Sequence, residues 1–338
     1  MNIYDIAQKS GVSIATVSRV INGGRSVSPK TQETVLRVIQ EAGYTPNAFA
    51  RGLGLNTMRQ IGLLVSDVAD TYYANEVAML EKALRKAGFD VLLRCTGTET
   101  DKKKETLAQM LKRHVDAVIL VGSSMQEQDD NSHILEAAEQ IPVILVNGCV
   151  KGKNIICVRC DEMEGVRCCV RDMCSSGCRS LLFFYHTLSF SCRQKLKGFQ
   201  LGLKECQEKG TPAKGSDVCI PGGFDEIMAS AENYLREHPA DGIIGADDMT
   251  AVAVQKATQK LGQMVPLVGI NNSILSKAAT PAISSIDNMA ETMCTTAIKN
   301  LLDLFDGKRV PEDTVVSPEF IERESFVRKS VCGQEELQ

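Results

Sequence analysis

Residues 3–22, IYDIAQKSGVSIATVSRVIN, decide how the amino terminus folds. Ile3, Ile6 and Ala7 recur at helical spacing and give a short helix one apolar face. Gly11 then interrupts it and permits a left-handed turn, in which Val12 faces inward. Ser13 stands where its hydroxyl can accept a backbone N–H and open a second helix. Val17, Val20 and Ile21 form the apolar stripe of that helix. Ala15, Ser18, Arg19 and Asn22 fall on its opposite face, which is small, polar and basic. A third helix is expected from Ser28-Pro29, a cap followed by a proline at the first helical position. Val35, Val38, Ile39 and Ala42 line its inner side, and Gly43 ends it. Two short helices joined at a glycine turn and braced by a third make a helix-turn-helix unit, whose second helix can lie in a DNA major groove. Small residues at its start allow close approach to base edges. Arg19 offers a fork for guanine, and Thr16 and Ser18 offer hydroxyls for phosphates. On spacing alone, a plain three-helix bundle with a solvated face stands as the alternative.

The rest of the chain sets the context. With 338 residues, 43% hydrophobic and 24% charged, it has the composition of a soluble globular protein of two or three domains. That excludes a disordered chain, a collagen and a disulfide-knotted miniprotein. No apolar run approaches the roughly 18 residues of a membrane span. The start, Met1-Asn2-Ile3-Tyr4-Asp5, has neither a basic nor an apolar leader region, so a cytoplasmic protein is expected. Residues 1–60 hold seven Lys/Arg against three Asp/Glu, a net of +4, which leaves −8 on the remainder of a chain whose total is −4. A basic head on an acidic body points to a polyanionic partner for the head alone. Thirteen cysteines is a high and odd number. In a reducing compartment they act as small buried apolar residues. The densest group, Cys168, Cys169, Cys174 and Cys178, lacks the paired spacing of a zinc site. The four histidines are scattered. Neither a metal nor a cofactor is expected.

From residue 60 onward, short apolar runs alternate with amphipathic helices. Candidate strands cover 61–65, 91–93, 117–121, 143–146, 181–185, 242–246 and 267–270. Val77, Leu80, Leu84 and Ala87 mark a helix between the first two. This alternation predicts an α/β body of parallel sheets covered by helices, in two halves. Ligands of such sheets bind beyond the carboxyl ends of the strands. The candidate ligand residues are therefore those that follow strands: Tyr72, Tyr73, Ser123, Asp247 and Asn271. Phe190, Arg193 and Lys195 are expected in a loop leading into Gly198-Phe199. Polar groups between stacking rings suit a small, polar, ring-bearing ligand.

The run GVSIATVSRVIN, followed by VSPKTQETVLRVIQEAGYTPNAFAR, resembles the head of the lactose-repressor (LacI/GalR) family of transcription regulators. The match is nearly gapless through residue 59 and looser to about residue 328. The resemblance implies a head over 1–45, a hinge helix and linker over 46–59, and a periplasmic-binding-protein-like body over 60–330. The body would have two doubly wound parallel-sheet subdomains, one over about 60–159 and 288–316, the other over about 160–287 and 317–330, with a tail at 331–338. It implies that Ile14, Ala15 and Arg19 read bases. Tyr4, Ser13, Thr16, Ser18 and Asn22 would contact phosphates or brace the helix. In the hinge, Asn47, Ala50 and Leu53 would meet DNA, with Leu53 wedged into the minor groove to kink the duplex. Tyr72 and Tyr73 match the family's aromatic pair, and Phe224 matches an aromatic position in the second half.

Several positions depart from the family pattern. Gly52 and Gly54 stand where better helix formers are common, at a cost of about 0.5–1 kcal/mol each. Lys195 and Asn271 stand where many members carry Arg and Asp. Arg193 lies two residues from the first of these, and a point-charge lysine is no substitute for a guanidinium fork. Cys178 replaces part of a common Gly-His-Arg motif. The function expected is that of a repressor, binding a near-palindromic operator as a homodimer under control of a sugar or related polar effector, as inducer or as co-repressor. The tail, Gly333 to Gln338, carries no leucine heptads, so a dimer is expected and not a tail-linked tetramer. The rivals are a solute-binding protein, which the helical head disfavours, and an enzyme, for which no GxxxxGK[ST], GxSxG or HExxH motif is present.

Overall fold

The computed structural model describes residues 2–21, 26–43 and 57–328. Asn22, Asn47, Ala50 and Leu53, with Gly52, Gly54 and the hinge segment 46–53, lie outside the described residues, as does the tail.

The head is three helices on a very small core. Helix α1 (Ile3–Ser10) opens on a capping box: the Asn2 side chain accepts from the Tyr4 and Asp5 amides, and the Asp5 carboxylate accepts from the Asn2 amide at 2.8 Å. Gly11 ends it at φ 66°. Helix α2 (Ile14–Ile21) follows, with the Thr16 amide donating to Ser13 Oγ. Helix α3 (Pro29–Glu41) is capped by Ser28. Ile6, Ala7, Val17, Val20, Val35 and Val38 form the buried centre, with Val12 packed against it.

The body has two lobes of one design. Strand β1 (Gln60–Val65), α4 (Thr71–Lys86), β2 (Asp90–Cys95), α5 (Thr100–Lys112), β3 (Ala117–Val121), α6 (Ser132–Ala138), β4 (Val143–Val146) and β5 (Ile155–Cys160) build the first. Helix α7 (Glu162–Ser175), β6 (Ser180–Tyr185), α8 (Phe190–Glu208), β7 (Lys214–Cys219), α9 (Phe224–Glu237), β8 (Gly242–Gly245), α10 (Asp248–Lys260), β9 (Leu267–Ile270), α11 (Ile274–Ala278) and β10 (Ser284–Asp287) build the second. Helix α12 (Ala290–Phe305) and β11 (Asp313–Val316) return to the first lobe, and β12 (Glu319–Ile321) to the second. The chain thus crosses between lobes after β5, after β10 and after β11.

The sheets run β11-β5-β4-β3-β1-β2 and β12-β10-β9-β8-β6-β7. The described pairings are parallel except for β10 with β12. Each sheet is buried on both faces, which explains why its central strands read as continuous apolar runs. Ile61, Leu63 and Ile119 meet Leu80 and Leu84 of α4 and Leu301 of α12 on one face, while Leu64, Val118 and Leu120 meet Leu107 and Met110 of α5 on the other. In the second lobe Phe183 packs on Val170 and Phe199, and Phe184 on Ile227 and Val254.

All seven expected strands are present. Five others were not anticipated: β5, β7, β10, β11 and β12. Strand β7 is a polar sheet edge in which only Val218 is buried. In β10 two of the three buried residues are serines, made tolerable by bonds from Ser284 Oγ to the Phe326 carbonyl and from Ser285 Oγ to Asp248. The described cysteines are free thiols, and eight of them are buried.

Candidate functional site

The outer face of α2 is the first candidate. Burial of Val17 and Val20 turns Ile14, Ala15, Ser18 and Arg19 away from the core. Ala15 and Arg19 are exposed, and Ile14 is 40% exposed despite being apolar. Tyr4, in the first turn of α1, is 66% exposed. The Ser13 and Thr16 hydroxyls lie 2.9 Å apart at the amino end of α2. That end is also the positive end of the helix dipole, which suits a phosphate.

The second candidate is a cavity of about 820 Å³ between the lobes. Its wall comes from the carboxyl ends of β1, β3 and β4 on one side and of β6, β8 and β9 on the other. In each sheet the strand order reverses at these ends, where α/β folds open a crevice. Tyr72, Tyr73, Ser123, Lys195, Phe224, Asp247 and Asn271 all line it.

Phe190 and Arg193 do not line the cavity, and neither lies in a loop. Ser189 caps α8 by accepting from the Cys192 amide at 3.2 Å, so the helix begins at Phe190. Helical geometry then turns Ser191, Cys192 and Lys195 toward the cavity and Phe190 and Arg193 away. The Arg193 guanidinium is instead bonded to the Leu188 carbonyl at 2.9 Å. Lys195 does face the cavity, but its ammonium is committed: Nζ lies 3.2 Å from Glu162 Oε1 and donates to the Ala246 carbonyl at 2.9 Å. Burial pushes the Lys195 amine down, but the charges of Glu162 and Asp247 outweigh it and hold the amine above its ordinary value.

The aromatic pair depends on a glycine. At Gly122, φ is 92°, and a Cβ there would lie 2.2 Å from the Tyr73 ring. Tyr72 and Tyr73 have ring centroids 5.6 Å apart at 59°. The Tyr73 hydroxyl lies 3.3 Å from Ser124 Oγ, and burial pushes its phenol up to about 12. Tyr72 donates to Glu76 Oε1 at 2.8 Å and accepts from Asn288 Nδ2 at 2.7 Å. Asn288 Nδ2 also donates to Asn271 Oδ1, so the chain of bonds runs from one lobe through a crossover to the other. Glu76 is fully buried, and burial pushes its carboxyl up to about 8 despite the Tyr72 bond. The Ser123 hydroxyl donates to Ser189 Oγ across the lobes at 3.0 Å.

Sequence reasoning did not select Asp70, Asn147, Glu162, His186 or Asn288. His186 follows β6 as Ser123 follows β3, so the rule of residues after strands would have found it. Asp70 reads as a helix cap and is one, accepting from the Tyr72 amide at 2.8 Å. His186 Nδ1 lies 3.2 Å from Asp247 Oδ2, and that bond holds the imidazole above its usual value. Burial pushes the Asp247 carboxyl up, but His186, the Thr250 amide and the charge of Lys195 together outweigh it and the net direction is down. Asp247 and Asp248 diverge: Asp248 is buried and accepts from the Ser273 amide and the Ser285 hydroxyl.

The model for bacterial regulatory proteins of the lacI family matches residues 2–47, and that for a periplasmic binding protein-like domain matches residues 170–326. A regulator described as an HTH-type transcriptional regulator, from Lachnoclostridium phytofermentans, is 40% identical over 338 residues, covering 96% of this chain and 99% of its own. Catabolite control protein A of Priestia megaterium is 28% identical, over 95% and 98% of the two chains. Among solved structures, the lac repressor dimer bound to operator and the anti-inducer ONPF superposes with a TM-score of 0.83 at 20% identity, over 96% and 98% of the chains. The complex of the transcriptional regulator CelR with cellobiose gives 0.68 at 24%, over 96% and 100%.

Proposed function

The chain belongs to the lacI family of bacterial regulatory proteins, and from that premise we propose that it is a repressor that binds a near-palindromic operator as a homodimer and responds to a small polar effector in the interlobe cavity. The family is one of DNA-binding transcriptional regulators rather than of enzymes. Its place of action is the cytoplasm. Among the described residues, no helix is long and apolar enough to cross a membrane.

In this reading residues 1–45 are the DNA-binding head, 46–59 the hinge and linker, and 60–330 the body, with its halves at about 60–159 and 288–316 and about 160–287 and 317–330. Ile14, Ala15 and Arg19 read base edges. Tyr4, Ser13, Thr16, Ser18 and Asn22 meet phosphates or brace the helix. Asn47 and Ala50 contact DNA from the hinge, and Leu53 opens a central base step from the minor groove. Tyr72, Tyr73, Ser123, Lys195, Phe224, Asp247 and Asn271 form the effector wall, Lys195 as a neutralised strut and not as a free cation.

One observation carries the proposal: both lobes contribute to the cavity wall, and three strands of chain connect them. A ligand gripped from both sides favours one lobe pose over another, which is what an effector must do to shift DNA affinity. A salt-dependent gel shift on promoter fragments of the native genome, with and without a panel of sugars, tests it. Selective retardation of a two-fold symmetric fragment, altered by a sugar, is the expected result. Equal retardation of every fragment regardless of additive would sink it.

A further inference from the structure

The carboxylates and the lysine of the cavity wall are spent inside the protein. Asp67 accepts from the Ala69 amide and Asp70 from the Tyr72 amide. Asp248 accepts from the Ser273 amide and the Ser285 hydroxyl, and Lys195 is held by Glu162 and the Ala246 carbonyl. Asp247 is engaged at both oxygens: Oδ1 accepts from the Thr250 amide at 2.7 Å, and Oδ2 lies 3.2 Å from His186 Nδ1. The Thr250 hydroxyl stands 3.2 Å from the same nitrogen, so Nδ1 is committed to the start of α10. His186 itself follows β6, lines the cavity and keeps 29% of its side chain exposed. Its second ring nitrogen, Nε2, bonds none of the described residues. An imidazole held at Nδ1 presents Nε2 on the other edge of the ring.

We propose that His186 is the residue through which the second lobe reads the effector, donating from Nε2 to an oxygen of a neutral, hydroxyl-bearing sugar, and that Asp247 is a positioning residue that fixes the ring. This rests on the assignment of the cavity as the effector site. Because the carboxylate keeps a proton on Nδ1 in either charge state, Nε2 is the atom that titrates. With its proton, Nε2–H forms a charge-assisted bond to the ligand oxygen; without it, the same nitrogen offers only a lone pair. Four carboxylates line the same wall, so an anionic ligand oxygen is disfavoured there and a hydroxyl oxygen fits. The charged groups acting on the imidazole are Asp247 on α10 and Asp70 at the start of α4, which favour its proton, and Lys195 on α8, which opposes it. The Asp247 bond is the largest influence and holds the imidazole above its usual value. Effector affinity is therefore greatest while the imidazole is protonated and falls as pH rises through that raised value.

The test is calorimetric titration of the full-length protein with glucose, galactose, xylose, cellobiose, lactose and maltose between pH 5 and 9. At least one sugar is expected to bind, about tenfold more weakly at the alkaline end than at the acid end. His186→Asn leaves an amide near the Nδ1 position for Asp247 but deletes Nε2, and is expected to lose about tenfold at the acid end and to flatten the profile. Glu76 titrates in both proteins, so the difference between the two profiles belongs to the imidazole. His186→Gln, whose amide reaches the Nε2 position, is expected to recover part of the affinity at every pH. Asp247→Asn keeps an oxygen for the Thr250 amide and is expected to move the alkaline loss to lower pH. Melting curves confirm that each variant is folded. An unchanged affinity in His186→Asn, a profile indifferent to Asp247→Asn, or no binding of any sugar overturns the proposal. A gel shift on operator fragments run beside it separates the outcomes. A sugar that alters retardation equally in the native chain and in His186→Asn removes only this inference, whereas indifference to every sugar removes the effector assignment as well.

Discussion

In the head, eight consecutive residues of α2 carry both the core contacts and the outward face, above six buried side chains. In the interlobe cavity, the wall draws on residues from Ser66 to Leu275, placed by several separate strand ends and helix starts. The head is therefore a local device, in which one helix turn sets what is buried and what is offered. The cavity is a distributed device, in which a residue's orientation follows from where its strand ends and which helix it caps. A change in the head is expected to alter DNA recognition and leave the cavity intact. A change in the cavity wall is expected to spread into stability and lobe pose.

The sharpest way to break this contrast is Lys195→Met. It leaves Glu162 buried without its cation, and removing one partner of a buried pair costs about 3–5 kcal/mol. Urea unfolding of the full chain measures it. A loss below about 1 kcal/mol would show that the cavity tolerates local change as the head does.

Glu76 gives the next effect, through pH. Its folded-state carboxyl is raised to about 8 from an ordinary 4.5, so the native protein holds a proton that the unfolded chain releases. The contribution is complete below the unfolded value and is lost as pH rises from there toward 8, by on the order of a few kcal/mol. Melting curves from pH 5 to 9 are expected to fall more steeply for the native chain than for Glu76→Gln. Parallel curves would contradict the buried neutral carboxyl.

In the head, Arg19→Ala is expected to cost about 1–3 kcal/mol per operator half-site, with non-specific binding less affected. Competition gel shifts report the ratio. Retention of native sequence preference would remove α2 from the role of reader. The smallest effect is Ser28→Ala, which deletes the cap of α3. About 1 kcal/mol of head stability is expected to go, visible as earlier loss of head helicity on heating, with sugar binding by the body unchanged.

The same contrast explains what could be read in advance. The head helices, their caps at Ser13 and Ser28 and the turn at Gly11 follow from contiguous signals, and each is present. The central strands were legible because burial on both faces makes them uniformly apolar. Strands β7 and β10 were not, since one is a polar edge and the other hides serines behind tertiary hydrogen bonds. In the cavity, the rule of residues after strands found Tyr72, Ser123, Asp247 and Asn271. It failed at Phe190 and Arg193, because the Ser189 cap starts α8 earlier than the Gly198-Phe199 pair suggested and so rotates both side chains out of the wall.

The sequence by itself determined the family, the α/β alternation and the outward face of α2, since these rest on short-range periodicity and on residues next to one another. Only the tertiary structure decided how charge is spent in the cleft. Lys195 meets Glu162, His186 meets Asp247, and Tyr72 joins Glu76 to Asn288 across a separation of some two hundred residues. Such pairings depend on which strand ends adjoin once both sheets have closed, and no local pattern of residue types encodes that.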